Sequence, residues 1–201
     1  MKTIGISQRI YISNFGEVRT QIDTRLLSFV LYCGYIPLPI PYFNETKKNS
    51  LKKLSRWVKM SNLDGLFLSG GDDIGKHKVR DFSEKFLISY SIKNKIPIYG
   101  VCRGMQIIGS LFRSKLIPVK GHVGKSHDVY YKGKRKTSVN SFHNFSLSKC
   151  PKNFSVEYKS LDGNIESIES KENKIYACMW HPERYNKFKK LDVQKFKKIF
   201  S

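Results

Sequence analysis

Along the first half of the chain, apolar residues fall into two kinds of run. Short, nearly unbroken ones read as buried strands: Thr3, Ile4 and Ile6 around Gly5 in KTIGISQRI, then residues 35–40, 63–68 and 96–101. Between them, apolar residues recur at helical spacing. Leu26, Leu27, Phe29, Val30 and Leu31 form one such face, stopped by Gly34; Leu51, Leu54, Trp57 and Val58 form a second. A third helix runs through Phe86 and Ile92, and a fourth starts at Arg103. Alternation of strand and helix is the connectivity of a mainly parallel sheet covered by helices.

After Phe112 the rhythm changes. SHDVYYKG, TSVNSFHNF, FSVEYKSLDGNIESIES and KIYACMWHPE are short and turn-rich, as antiparallel strands and hairpins are, with Asp162 and Gly163 as a turn signal. DVQKFKKIF reads as a short closing helix. No repeat, low-complexity segment or linker interrupts the chain, so residues 1–201 are expected to form a single domain. The expected fold class is α/β: a three-layer sandwich with a mainly parallel central sheet and a smaller antiparallel β portion in the C-terminal half.

Composition narrows the class. A chain of 201 residues removes roughly 70% of its unfolded surface from water on folding, enough for a full core without staples. An apolar content of 40%, with 13% aromatic residues, excludes a disordered chain. No apolar stretch approaches the roughly 20 residues of a membrane helix, and MKTIGISQRIYIS lacks the apolar run and cleavage pattern of a signal peptide. Four separated cysteines, Cys33, Cys102, Cys150 and Cys178, form no CxxC or Cys/His metal spacing, which fits reduced thiols in the cytoplasm. The formal charge of +21 leaves two readings open: a lysine-rich solvated surface, or a field for an anionic ligand such as nucleic acid or a phosphate-bearing small molecule. Nucleic acid is disfavoured, because the lysine runs are not organised around a reading helix and no zinc-finger, RRM or KH pattern is present.

Candidate chemistry centres on Cys102. In PIYGVCRGMQIIG it stands between a strand and a helix, where ligands gather in open α/β sheets, with Gly100 and Gly104 two residues to either side. A sharp strand-to-helix turn exposes the residue at its apex and leaves its neighbours little room for side chains, so G-x-C-x-G is the cysteine counterpart of the serine nucleophile turn. Aligned N–H groups at a helix start also favour a thiolate. Cysteine is common in cores, and Cys33 in LYCGY and Cys178 in YACMW are read as packing residues; Cys150 is a loop thiol.

A nucleophilic thiol needs a base, and the base an orienting group. His181 and Glu183 in ACMWHPER supply both types at the end of a strand, where alternation sends i and i+2 to one side and Pro182 stiffens the backbone. His77, His122, His127 and His143 lack a carboxylate at that spacing; His127 precedes Asp128, but adjacent strand residues face opposite ways. LFLSGGDD ends a strand in Gly70 and Gly71, where a bare backbone can approach a ligand, so the N–H groups of Gly71 and Arg103 would form a two-donor oxyanion hole. Thiol, imidazole and backbone donors complete such acyl transfer without a metal or organic cofactor.

The ordered set SGGDD, GVCRGMQ and WHPE resembles a class I glutamine amidotransferase domain over nearly the whole chain. RDFSE at 80–84, SHDV at 126–129 and VNSFH at 139–143 make it most similar to the free-standing γ-glutamyl hydrolase branch. The resemblance implies a Cys102–His181–Glu183 triad that cleaves a γ-glutamyl amide through a glutamyl thioester, with Gly71 and Arg103 as oxyanion donors. It also implies substrate contacts at Gln106, Asn140, Ser141 and His143, beside Gly70. IGKHKVR at 74–80 replaces a more acidic family loop, which points to a phosphate-bearing, nucleotide-linked leaving group. The competing expectation is a glutaminase subunit that passes ammonia to a separate synthase partner.

Overall fold

The computed structural model describes residues 1–201. From the N-terminus, β1 (Thr3–Ile6) is followed by a hairpin, β2 (Arg9–Ile12) and β3 (Val18–Gln21). Then α1 (Thr24–Tyr32), β4 (Ile36–Pro39), α2 (Lys47–Ser61), β5 (Gly65–Leu68), α3 (Lys78–Lys93), β6 (Ile98–Val101) and α4 (Arg103–Leu111) alternate as the apolar runs require. Local chemistry sets the boundaries. The Asp23 carboxylate caps α1 by accepting from Arg25 N–H at 2.9 Å, and Gly34 takes φ +90° where the chain turns back. The Thr46 hydroxyl caps α2, which Asn62 ends in a left-handed conformation.

The C-terminal half contributes β7 (Leu116–Pro118), β8 (Val123–Tyr131), β9 (Lys134–Phe142), β10 (Phe145–Leu147), β11 (Ser155–Ser160), β12 (Ile165–Ser170), β13 (Ile175–Cys178) and α5 (Lys190–Phe200). One nine-stranded sheet runs in the order β4-β1-β5-β6-β13-β12-β11-β8-β9. Strands β4 through β13 in that order are parallel, and those from β13 to β9 are antiparallel. The antiparallel portion is therefore a continuation of the central sheet. Expected from its sequence among the antiparallel strands, β13 is instead the joint, parallel to β6 on one side and antiparallel to β12 on the other.

Strand alternation divides the core between the two faces. Ile4, Phe67, Tyr99, Tyr176 and Cys178 cluster with α1 and α5, whereas Leu66, Leu68, Ile98, Ile175 and Ala177 cluster with α2, α3 and α4. On the first face Phe196 of α5 lies edge-on to Phe29 and tilted against Tyr99, with centroids at 5.1 and 5.0 Å. Burying each such ring stabilises the fold by roughly 1.5–3 kcal/mol. The Trp180 indole N–H donates to Asp192 on the same helix at 2.9 Å, so the chain leaving β13 is fastened just before His181.

Candidate active site

Cys102 leaves β6 with φ +52° and ψ −107°, a conformation that L-residues seldom adopt and that costs on the order of 1–3 kcal/mol. The surrounding crowding explains both glycines. A Cβ on Gly104 would lie 2.3 Å from the Leu68 carbonyl oxygen, and one on Gly100 would lie 2.9 Å from Ile108 Cδ1 and 3.0 Å from the Gly104 carbonyl carbon. β6 and α4 can meet this tightly only without side chains there. Cys102 N–H donates to the Cys178 carbonyl at 2.7 Å, extending the β6–β13 ladder to the apex, while the Cys102 carbonyl accepts from Met105 and Gln106 to start α4.

Because β13 neighbours β6, the chain leaving it passes beside Cys102. His181 Nδ1 donates to Glu183 Oε1 at 2.7 Å, and each residue is 2% exposed. Strand alternation is not the reason they meet: β13 ends at Cys178, and Pro182–Arg184 forms a single 3-10 turn that brings the two side chains together. Asn140 fixes the entry to that turn, donating through Nδ2 to the His181 carbonyl and accepting from His181 N–H, both at 2.8 Å. Burial disfavours an imidazolium at His181. The Glu183 carboxylate and hydrogen bonding with Cys102 outweigh that and raise its pKa to about 9. By contrast, burial pushes the Cys33 thiol up to about 12 and Cys178 well above its usual value, as befits packing residues.

Gly70 and Gly71 bring the loop after β5 against this pair. A Cβ on Gly70 would sit 2.6 Å from His181 Cε1, so its absence lets the imidazole close on the loop. Arg80, buried on α3, donates to the carbonyls of Ser69 at 2.8 Å and Gly70 at 3.0 Å. In a trans peptide the N–H points opposite to the C=O, so holding the Gly70 carbonyl turns the Gly71 N–H away from Arg80. Gly71 itself, at φ +142°, lines the cleft with Cys102. Arg80 and Arg103 share the buried Glu84 carboxylate, Arg80 Nε at 2.8 Å, and Arg103 also reaches Asp81. Burial opposes ionisation of Glu84, but the two guanidiniums hold its pKa below the usual value. The side chains of 80–84 thus build a scaffold beneath the loop, and of the 74–80 segment only Lys76 reaches the cleft, paired with Asp72 at 2.7 Å.

The cleft has a volume of about 470 Å³. Gln106 and His143 line it, whereas Asn140 and Ser141 do not: Asn140 holds His181, and the buried Ser141 hydroxyl donates to the His122 carbonyl at 2.5 Å. Arg9, Gln21 and Arg184 also line the cleft, and no motif in the sequence singles them out. Arg9 and Gln21 are register partners in the β2–β3 hairpin, and Arg184 stacks 4.6 Å over Phe142. Gly16, at φ +80° between Ile10/Ile12 and Val18, was the available hairpin signal.

The family model for class I glutamine amidotransferases matches residues 18–197. The chain belongs to the class I glutamine amidotransferase family. The chain is 33% identical to the γ-glutamyl-CDP-amidate hydrolase of Campylobacter jejuni, over 96% of its own length and 95% of that one. It is 27% identical to a GMP synthase (glutamine-hydrolysing) of Borreliella burgdorferi over 88% of its own length, spanning 33% of that enzyme. Among solved structures, a Thermoplasma acidophilum protein described as a putative GMP synthase subunit superposes with a TM-score of 0.69 at 19% identity, covering all of this chain and 92% of that one. At that identity the likeness concerns the fold.

Proposed function

We propose that this protein hydrolyses a γ-glutamyl amide through a glutamyl thioester on Cys102, with a nucleotide-linked, phosphate-bearing leaving group. The observation that carries the reading is the meeting, in one cleft, of a strained Cys102 with a buried His181 bound to Glu183. In the first half-reaction the Cys102 sulfur attacks the γ-carbonyl carbon, forming the C–S bond. Negative charge gathers on the carbonyl oxygen, for which the N–H groups of Gly71 and Arg103 are the candidate donors; helix-opening N–H groups such as that of Arg103 have no intrahelical acceptor. His181 gives its proton to the leaving nitrogen as the C–N bond breaks. Water then attacks the thioester, His181 takes its proton, and glutamate leaves with the thiolate restored. Glu183 holds the imidazole tautomer and stabilises the imidazolium.

The leaving group is inferred from the cleft lining and from the relative. Arg9 and Arg184 line the cleft, and two guanidiniums suit phosphate oxygens. The Campylobacter protein named as a γ-glutamyl-CDP-amidate hydrolase covers nearly the whole chain, making γ-glutamyl-CDP-amidate the first substrate to try. The test measures glutamate released from that compound, from glutamine and from simple γ-glutamyl amides, with mass spectrometry to trap acylated Cys102. Cys102→Ala should abolish release and the adduct; release at the parent rate would overturn the mechanism. A second reading, ammonia supply to a synthase, is favoured by the likeness to GMP synthase. Glutamine hydrolysis that becomes robust only with a co-purifying synthase supports it.

A further inference from the structure

Behind one wall of the cleft, three elements of the antiparallel half bring together groups that acyl transfer does not use. His122 immediately precedes β8, His143 lies between β9 and β10, and Glu166 lies on β12; they are 4%, 2% and 0% exposed. His122 Nδ1 and His143 Nε2 are 3.2 Å apart, and each is 3.5 Å from Glu166 Oε1.

The partners around this triangle assign the ring protons. His143 Nδ1 lies 3.1 Å from the Phe145 carbonyl, which only accepts, so Nδ1 carries the hydrogen and Nε2 presents a lone pair. His122 Nε2 faces the Asp162 carboxylate at 2.9 Å, so in the neutral ring Nδ1 presents a lone pair as well. Deprotonated at Nδ1, His122 completes a set of three converging electron-pair donors; protonated there, as the Glu166 and Asp162 carboxylates favour by raising its pKa to about 9, its N–H lies between His143 Nε2 and Glu166. Neither Glu166 oxygen has a hydrogen bond of good geometry, and the cation that holds the cluster is either that proton or a metal ion that displaces it. Buried groups in this arrangement call for a cation.

We infer that His122 Nδ1, His143 Nε2 and Glu166 Oε1 form a binding site for a divalent transition-metal ion, with Zn²⁺ best suited to the ligand set. Around a tetrahedral ion bound about 2.1 Å from each ligand, donors stand roughly 3.4 Å apart, and the observed edges are 3.2, 3.5 and 3.5 Å. Each ligand also has an outer partner of the kind that orients metal sites. Asp162 backs His122 and the Phe145 carbonyl backs His143; His127 Nε2, itself buried, lies 3.4 Å from Glu166 Oε2. The ion would fasten the start of β8 and the β9–β10 turn to β12, and so fix His143 where it lines the cleft. The ligands are 21 and 23 residues apart in the sequence, so no short spacing signals the site.

The test uses full-length Cys102→Ala protein, which removes a competing thiolate–imidazole site. Chelator-stripped protein is titrated with Zn²⁺ and, separately, with Co²⁺. The expected result is one equivalent bound, tetrahedral Co²⁺ bands in the visible spectrum, and a Tm rise of roughly 5–10 °C at about 100 times Kd. Adding Glu166→Gln or His122→Gln should remove the equivalent and the Tm gain. Uptake unchanged in these variants, or no stoichiometric uptake at all, overturns the assignment and leaves a cluster held by protons alone. Should the variants fail to fold, X-ray absorption of the Zn²⁺-loaded Cys102→Ala protein decides: an all-N/O shell with two imidazoles is expected, and a sulfur ligand or a single imidazole refutes the site.

Discussion

Glu183 sets the protonation of the proposed base. The carboxylate helps hold the His181 pKa at about 9 against the effect of burial, so the imidazolium persists through neutral pH, where the proposed mechanism needs it to protonate the leaving nitrogen. On the alkaline side, glutamate release should therefore fall as pH rises through about 9. Glu183→Gln removes the charge, so the alkaline limb should move toward neutrality and kcat should fall by roughly 10²–10⁴-fold; a pH–rate profile of both proteins checks it. The linkage has the same sign. A histidine whose folded pKa lies above its unfolded value of about 6.5 contributes stability that is complete below that value and is lost as pH rises through 9. Cys102→Ala, in contrast, should abolish turnover while relieving no crowding, since the strain lies in a backbone shared by its neighbours.

At the level of elements, the turn between β6 and α4 depends on missing atoms. Gly104→Ala would place a methyl 2.3 Å from the Leu68 carbonyl oxygen, a backbone neighbour that cannot swing aside. Overpacking of this kind costs about 1–3 kcal/mol or more, so thermal unfolding should show a Tm lowered by roughly 5–10 °C. Elements with a continuous apolar run or stripe were legible in the sequence: α1 and α2 announce themselves by helical period, and β1, β5 and β6 by short runs buried on both faces. The β2–β3 hairpin was not, because β3 is exposed at all four positions and carries no buried period to read. Nor was the Arg80–Glu84–Arg103 scaffold, since charged residues on a helix ordinarily mark its solvent face, and here they are sealed beneath a loop. His181 and Glu183 were recognised as a pair although the turn that joins them was not, because spacing survives a change of backbone conformation.

Over the whole molecule the charge balance is unequal, with 37 basic and 16 acidic side chains. In the proposed function, Arg9 and Arg184, which line the cleft, give part of that excess a specific use. Replacing both with alanine should raise KM for a phosphate-bearing substrate several-fold and leave a simple γ-glutamyl amide nearly unaffected, with the difference shrinking at high salt as screening shortens the field's reach to a few ångströms. Steady-state kinetics across ionic strengths would expose a KM change common to both substrates, the result expected if these residues only support the loop.

The order of the nine strands leaves two open ends, and each resists extension in its own way. At β4, Ile36 and Ile40 donate inward to the Lys2 and Ile6 carbonyls, so the alternate positions, Pro37 and Pro39, are those whose nitrogens face outward, and neither carries a hydrogen. At β9, Lys134, Arg135 and Lys136 are exposed along the other margin, where a second copy would bring like charges together. A double Pro37→Thr, Pro39→Thr variant would offer two outward N–H groups to a stray strand, and light scattering on gentle heating should rise sooner than for the parent. The sheet that brings Cys102 and His181 together is thus terminated against growth, by missing donors at one margin and mutual repulsion at the other.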